Sequence, residues 1–509
     1  MAHRGADTNV TDLAGQMVMP GVVDVHNHIL LSGKAALYEL QFAASATIDE
    51  ICEAVAQQAA KLPAGQWIAG NSWGADMTTA LNTDEALRKL DAASPDHPVM
   101  LRDESQHNRW VNSVALKTCS ITETSEDPEQ GTFARDPSSG RLTGVLLEAA
   151  AGVAELAIEN ATTDEMRAAS VARAVDIANS FGITGFQEAA TTLPVLRALA
   201  DLDRAGGLSA RAVTSLPLVP PGFLFGEAGE GLLAQRDAFR TAHVMPTYTK
   251  IFLDGIPGTR TAAFHDAYLD APGVPHGHRG EPLMEMPELI RHVARSEEAG
   301  MGLKVHCTGD LAVTMVLDAV EAVRHLTGPT TVRHQIAHAS YIRPEDIPRF
   351  AALGVVADLC PIMWFPTAFL EGHKEVMGVE RAERFWPIAD LVKAGALIAG
   401  GSDWPVIPLP NPWIGIEGMV TRQNPFGEFP GVSLWADQAI DVTTALRAYT
   451  INSATAMGID HLAGSLEPGK SADFIVLDRN LFECAPSDIG KTQVATTVFE
   501  GRTVYAQAA

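Results

Sequence analysis

Two histidines separated by one residue close the apolar run GVVDV, at positions 26 and 28. Side chains alternate faces along a strand, so His26 and His28 point the same way and can offer nitrogen to one metal ion. Short motifs match many unrelated sequences, and a pair of polar residues at a strand end explains this one equally well. Repetition of the pattern separates the two readings. His306 ends GLKV, His338 ends VRHQIA and Asp403 ends the glycine-flanked ALIAGGS, each an ionisable ligand type at the C-terminal tip of a different predicted strand. Several histidines and a carboxylate converging on one place suit zinc, which takes nitrogen and oxygen donors and in catalytic sites keeps a position for water.

Such tips converge only if the strands run parallel. The segments MVMPGVVDVHNH (17–28), GITGFQEAA (182–190), YTKIFLDG (248–255), GLKVHCTG (302–309), VRHQIAHA (332–339), GVVADLC (354–360) and ALIAGGSDWPV (396–406) share one form: an apolar run, a polar or glycine junction, then a helical pattern. Amphipathic stretches such as MPELIRHVARSEEAG and RPEDIPRFAALG lie between them, each closed by glycine as a helix C-cap requires. Strands alternating with helices imply parallel βα units with right-handed crossovers. Seven or eight of them predict an α/β fold, a distorted (β/α)8 TIM barrel, whose chemistry lies at the C-terminal mouth. Residues 17–31 and 166–454 are assigned to this barrel. Residues 32–165 are too long and too structured for a loop, and read as an inserted subdomain over the mouth after strand 1. Residues 1–16 and 455–509 read as a small flanking β-sandwich, its N-terminal part shortened.

Composition narrows the partners. With 37 basic and 62 acidic side chains the formal charge is −25, which repels nucleic-acid phosphates and anionic lipid surfaces. No run of 18 apolar residues or signal-peptide core is present. Five scattered cysteines without CxxC pairing fit a reducing, cytoplasmic location. The expected partner is a small-molecule substrate.

PGVVDVHNH resembles the strand-1 signature of the amidohydrolase superfamily. QWIAGNSWG, HNRWVNSVAL, TGVLLEAA, KIFLDGIPGTRTAAF, KVHCTGD, HQIAHAS, GSDWPV, RAYTINSA and GSLEPGKSADFIVLD resemble, in order, the successive blocks of amidohydrolase family 3, from residue 17 to about 505. The resemblance implies metal ligands at His26, His28, Lys250, His306, His338 and Asp403, holding one or two Zn2+ ions. In related enzymes a strand-4 lysine is carboxylated and bridges two ions. Alternatively, Lys250 is a barrel lysine paired with Asp254 or Glu188, and a one-zinc site built from the histidines and Asp403 stays open. Asp403 would accept a proton from the attacking water and return it to the departing nitrogen. A homodimer is plausible at the level of the family.

Further positions are candidates for substrate contact. His107 matches a block whose histidine reaches substrate from the insertion, although a surface-loop histidine reads the same. Trp73 and Trp364, with Trp110, can line an apolar pocket, or simply pack. Arg260 can steady a substrate carboxylate or a loop. His334 would share the face of His338 and support it from behind. Two departures from the family pattern stand out. Only sixteen residues precede Met17, where relatives carry a further β segment, and strand 7 continues as DLCPIMWFP, which makes that wall more apolar. The implied activity is zinc-dependent hydrolysis of a non-peptide C–N bond, in an amide, formamide or cyclic amide. Deamination, ester or carbamate hydrolysis, isomerisation on the same site, or a catalytically silent metal-stabilised barrel are the alternatives.

Overall fold

The computed structural model describes residues 5, 8, 10–43, 45–74, 77–103, 108–129, 131–220, 226–271, 273–328, 330–360 and 365–507. Short edge strand β1 (Val18–Pro20) leads into β2 (Val22–Asn27), whose six residues are all buried. Six strands follow before the next barrel strand: β3 (Glu39–Gln41), β4 (Ile68–Trp73), β5 (Val99–Asp103), β6 (Arg109–Val111), β7 (Gly131–Arg135) and β8 (Leu142–Glu148). Then come β9 (Ile183–Glu188), β10 (Arg211–Pro217), β11 (Val244–Phe252), β12 (Gly302–Cys307), β13 (Gln335–His338), β14 (Val356–Leu359) and β15 (Ile398–Gly400). Three last strands, β16 (Phe474–Leu477), β17 (Val494–Phe499) and β18 (Arg502–Ala506), complete the list among the described residues.

Eight strands form one parallel sheet in the order β15-β14-β13-β12-β11-β10-β9-β2. It nearly closes on itself. A parallel bridge joins Asn27 to Trp404 just beyond β15, and the His26 carbonyl accepts from Ser402 N (3.1 Å) and Asp403 N (2.7 Å). The seam is tight enough that a Cβ on Gly401 would lie 2.8 Å from the His26 backbone nitrogen, so only glycine fits there. The expected barrel is therefore the observed one. Its eighth unit, β10, is absent from the segments recognised in the sequence, because RAVTSLP puts Thr214 and Ser215 in a fully buried strand and ends without an ionisable residue.

The barrel is filled in layers. At its N-terminal end Gln335 Nε2 donates to Gln187 Oε1 (2.9 Å) and to the Ala456 carbonyl (2.9 Å), and Gln187 Nε2 donates to Ser215 Oγ (2.9 Å). Val23, Val25, Val213, Val356 and Ala399 pack there on Ala454, Ala456 and Met457, so a short helix (Ile451–Ala456) plugs that end. The opposite end stays polar. Helices wrap the outside as the amphipathic patterns require: Met286–Glu298 buries Leu289 and Val293, and Ile347–Leu353 buries Phe350 before Gly354 ends it in the left-handed region at φ 60°.

The excursion after β2 builds its own mixed sheet, ordered β3-β4-β5-β6-β8-β7, with apolar clusters on both faces. A buried ionic knot fastens it: Arg102 pairs with Glu39 and Glu155, each at 2.6 Å, and Arg109 pairs with the same Glu155 at 2.6 Å. The flanking element is a four-stranded antiparallel sheet, β1-β16-β17-β18, in which β1 is the sole N-terminal contribution among the described residues. It is tied to the barrel by the buried Arg211–Asp473 pair and by Thr497 Oγ1 donating to the Asn179 carbonyl at 2.7 Å. Among the described residues, no helix is long and apolar enough to cross a membrane.

Candidate active site

Five of the residues singled out by type and spacing meet at the C-terminal mouth. Asp403 lies at the centre: its Oδ1 is 3.5 Å from His26 Nε2 and 3.5 Å from His28 Nε2, and its Oδ2 is 3.8 Å from His338 Nδ1. The His338 ring lies 4.9 Å from that of His26 and 4.5 Å from that of His306, centroid to centroid. Backbone strain marks the same spot. His338 and Asp403 hold φ values of 68° and 56°, a region sparsely used by residues other than glycine. The Trp386 indole N–H donates to the His338 carbonyl at 2.6 Å and helps fix that turn.

Buried carboxylates lie behind the two histidines of the first strand. His26 Nδ1 lies 3.0 Å from Asp358 Oδ2, so the ring proton sits on Nδ1 and the Nε2 lone pair faces the centre. His28 Nδ1 lies 3.5 Å from Glu188 Oε1, while Glu188 Oε2 accepts from Ile29 N at 2.5 Å. Lys304, fully buried, donates to Asp358 and to the Val25 carbonyl (3.0 Å) and neutralises the carboxylate behind His26. Asp24 accepts from His26 N (3.0 Å), Ser402 N (2.9 Å) and Ser402 Oγ (2.6 Å), pinning the strand-1 tip against the Asp403 turn. His306 Nε2 donates to the Gly255 carbonyl at 3.1 Å, which leaves the lone pair on Nδ1.

Burial and charge set the protonation states. Desolvation lowers His26 to about 4, against the pull of Asp358, and lowers His338 to about 3. Both rings are thus neutral, as ligands must be. His28 is pushed up to about 9: burial disfavours its charge, but the Asp403 and Glu188 carboxylates outweigh burial. For Asp403 burial opposes ionisation, yet the surrounding histidines hold its carboxyl well below the usual range. Burial, reinforced by nearby Lys304, brings Lys250 down to about 8.

The donors fit a metal ion. Nitrogen or oxygen atoms of His26, His28 and Asp403 all lie within 4.8 Å of one another. Lys250, 1% exposed at the inner wall of β11, has an Nζ without a hydrogen-bond partner among the described residues, 4.5 Å from the Phe252 ring centre. Neither Asp254 nor Glu188 forms an ion pair with it among the described residues. Asp254 instead accepts from the backbone nitrogens of Ala263, Thr308 and Gly309 at 2.8–3.0 Å. A buried amine left bare is costly.

Other expectations fall elsewhere. Trp73 is fully buried in the core of the inserted sheet, and its indole N–H donates to the Leu101 carbonyl at 3.0 Å, so it packs instead of lining the mouth. Trp110 is buried in the same core. Arg260 sits on the loop after β11 at φ 61°, its carbonyl 2.8 Å from His278 Nε2. His107 and Trp364 lie outside the described residues. His334 does not support His338: it lies at the other end of β13, with Nε2 3.0 Å from Glu297 Oε1, because four strand residues span ~13 Å. Asp358, Lys304 and Asp24 were missed in the sequence. Lys304 and Asp24 lie two residues before His306 and His26, so the two-residue period that aligns His26 with His28 would have placed them on the inner face; Asp358 precedes no such residue and carries no local signal.

Removing one donor tests the cluster. His306→Ala is expected to lower bound zinc per chain; unchanged stoichiometry by elemental analysis would strike His306 from the ligands.

A parallel (β/α)8 barrel with histidines and an aspartate gathered at its mouth defines the class of metal-dependent hydrolases. The chain belongs to the amidohydrolase family, whose model matches residues 9–505. It is 30% identical to Protein LONG AFTER FAR-RED 3 of Arabidopsis thaliana, over 98% of this chain and 84% of that protein. It is 29% identical to N-substituted formamide deformylase of Arthrobacter pascens, over 98% and 90%. An uncharacterized metal-dependent hydrolase from Pyrococcus horikoshii OT3 superimposes with a TM-score of 0.75 at 26% identity, covering 94% of this chain and 90% of that one.

Proposed function

We propose that this hydrolase uses zinc to cleave the C–N bond of a small amide, formamide or cyclic amide. The observation that carries the reading is the Asp403 carboxylate 3.5 Å from the Nε2 atoms of His26 and His28, with His26 aimed at it by the buried Asp358. His26, His28, Lys250, His306, His338 and Asp403 would hold one or two ions. Bound zinc supplies a Lewis acid that acidifies water and polarises a carbonyl.

The rest is the work of the chain. Asp403, kept ionised by its histidines, accepts the proton of the attacking water on its carboxylate and hands it to the departing nitrogen. Asp358 keeps His26 in the tautomer and orientation that present Nε2, and His28, charged beside Glu188 and Asp403, would have to give up a proton to bind. Lys250, with its pKa near 8, retains a share of neutral amine at neutral pH, which supports carboxylation by carbon dioxide and hence a bridging role. A cytoplasmic location belongs to the same reading, supported by five unpaired cysteines.

Likeness to the formamide deformylase over nearly the full length of both chains supports the choice of bond. The test is turnover of N-substituted formamides and simple N-acyl amines by protein stripped with a chelator and reloaded with zinc. Amine release that vanishes on stripping and returns with zinc is expected. Ammonia in place of amine would shift the reading to ring deamination, and metal-independent turnover would overturn it.

A further inference from the structure

Inside this constellation lies a thiol that the reading above leaves unused. Cys360 directly follows β14, is fully buried, and holds its Sγ 3.4 Å from His338 Nδ1. It belongs to two donor sets, each with atoms within 4.8 Å of one another: His338, Cys360 and Asp403, and His26, Asp358 and Cys360. Asp358 and Cys360 are two residues apart, so the strand period turns both inward. Asp358 Oδ1, fully buried, has no hydrogen-bond partner among the described residues, because Lys304 and His26 both engage Oδ2. Lys250 Nζ is likewise without a partner and near enough to interact electrostatically with Cys360. A carboxylate oxygen and an amine without hydrogen-bond partners among the described residues thus lie beside a buried thiol that shares donor sets with His26, His338 and Asp403.

We propose that Cys360 is a ligand of the metal centre, bound as thiolate; the proposal rests on the metal-dependent reading of the site. On binding, a metal–sulfur bond forms, the S–H bond breaks and the proton leaves to solvent, with no change in oxidation state. Coordination to a divalent ion deprotonates a thiol outright. The consequence is selectivity. A centre of imidazole and carboxylate donors alone accepts manganese as well as zinc, whereas a thiolate biases the site toward softer zinc. The competing role, in which the thiol only donates a hydrogen bond to His338 Nδ1, leaves sulfur off the metal.

Cobalt(II) added to the metal-stripped full chain distinguishes these outcomes. The expected result is a thiolate-to-cobalt charge-transfer absorption in the near ultraviolet in wild type, lost in Cys360→Ser and Cys360→Ala. The zinc-over-manganese preference of Cys360→Ser is expected to fall by at least about tenfold, a loss that even outer-sphere partners can cause. Cobalt bound with visible ligand-field bands but no charge-transfer band in wild type overturns the thiolate while leaving the metal centre standing. No bound cobalt overturns the centre and the ligand together. The wild-type spectrum decides the matter even if a variant fails to fold.

Discussion

Asp403→Asn is expected to lower kcat by about 10²–10⁴-fold, the range that positioned proton transfer contributes, while most of the metal stays bound. The side chain sits among His26, His28 and His338 at 3.5–3.8 Å, and on the proposed reading those rings would hold the metal with or without its charge. An amide of the same shape preserves the left-handed turn at φ 56° but cannot take a proton from water. Steady-state kinetics alongside metal analysis separate the two effects. Activity close to wild type would remove Asp403 as the base, and loss of metal in parallel would make it chiefly a ligand.

Lys304→Met is expected to be the most destabilising change near the site. Lys304 and Asp358 are both fully buried, and the lysine gives its protons to that carboxylate and to the Val25 carbonyl. Removing one member of such a pair leaves an uncompensated charge and costs about 3–5 kcal/mol. The double variant Lys304→Met with Asp358→Leu is expected to recover most of that stability, since no buried charge remains, but not the metal affinity, since His26 loses the carboxylate that orients it. Denaturant melts of both variants check this. A single variant as stable as wild type would mean that Asp358 is neutral or hydrated.

Much of this architecture was legible because its chemistry sits where strands end. His26, His28, His306, His338 and Asp403 interrupt apolar runs, and a parallel barrel brings those interruptions to one mouth. The strand β10 was not legible: it carries no such interruption, and its polar Ser215 faces the interior to meet Gln187. The support beneath the ligands was hidden for another reason. Asp358 meets His26 across 332 positions and Lys304 across 54, so their pairing comes from tertiary closure and leaves no local trace. Residue type also misleads where two environments accept it. Trp73 fills a core as readily as a pocket wall, and only the closed sheet around it decides.

Zinc per chain, measured by elemental analysis on wild type and Lys250→Ala purified without chelators, tests the metal centre most directly. About two ions in wild type, falling to one or none in the variant, is the expected result for a centre bridged by a carboxylated Lys250. One ion in both would leave Lys250 outside a mononuclear centre. No tightly bound metal in wild type, even after incubation with zinc, would contradict the account.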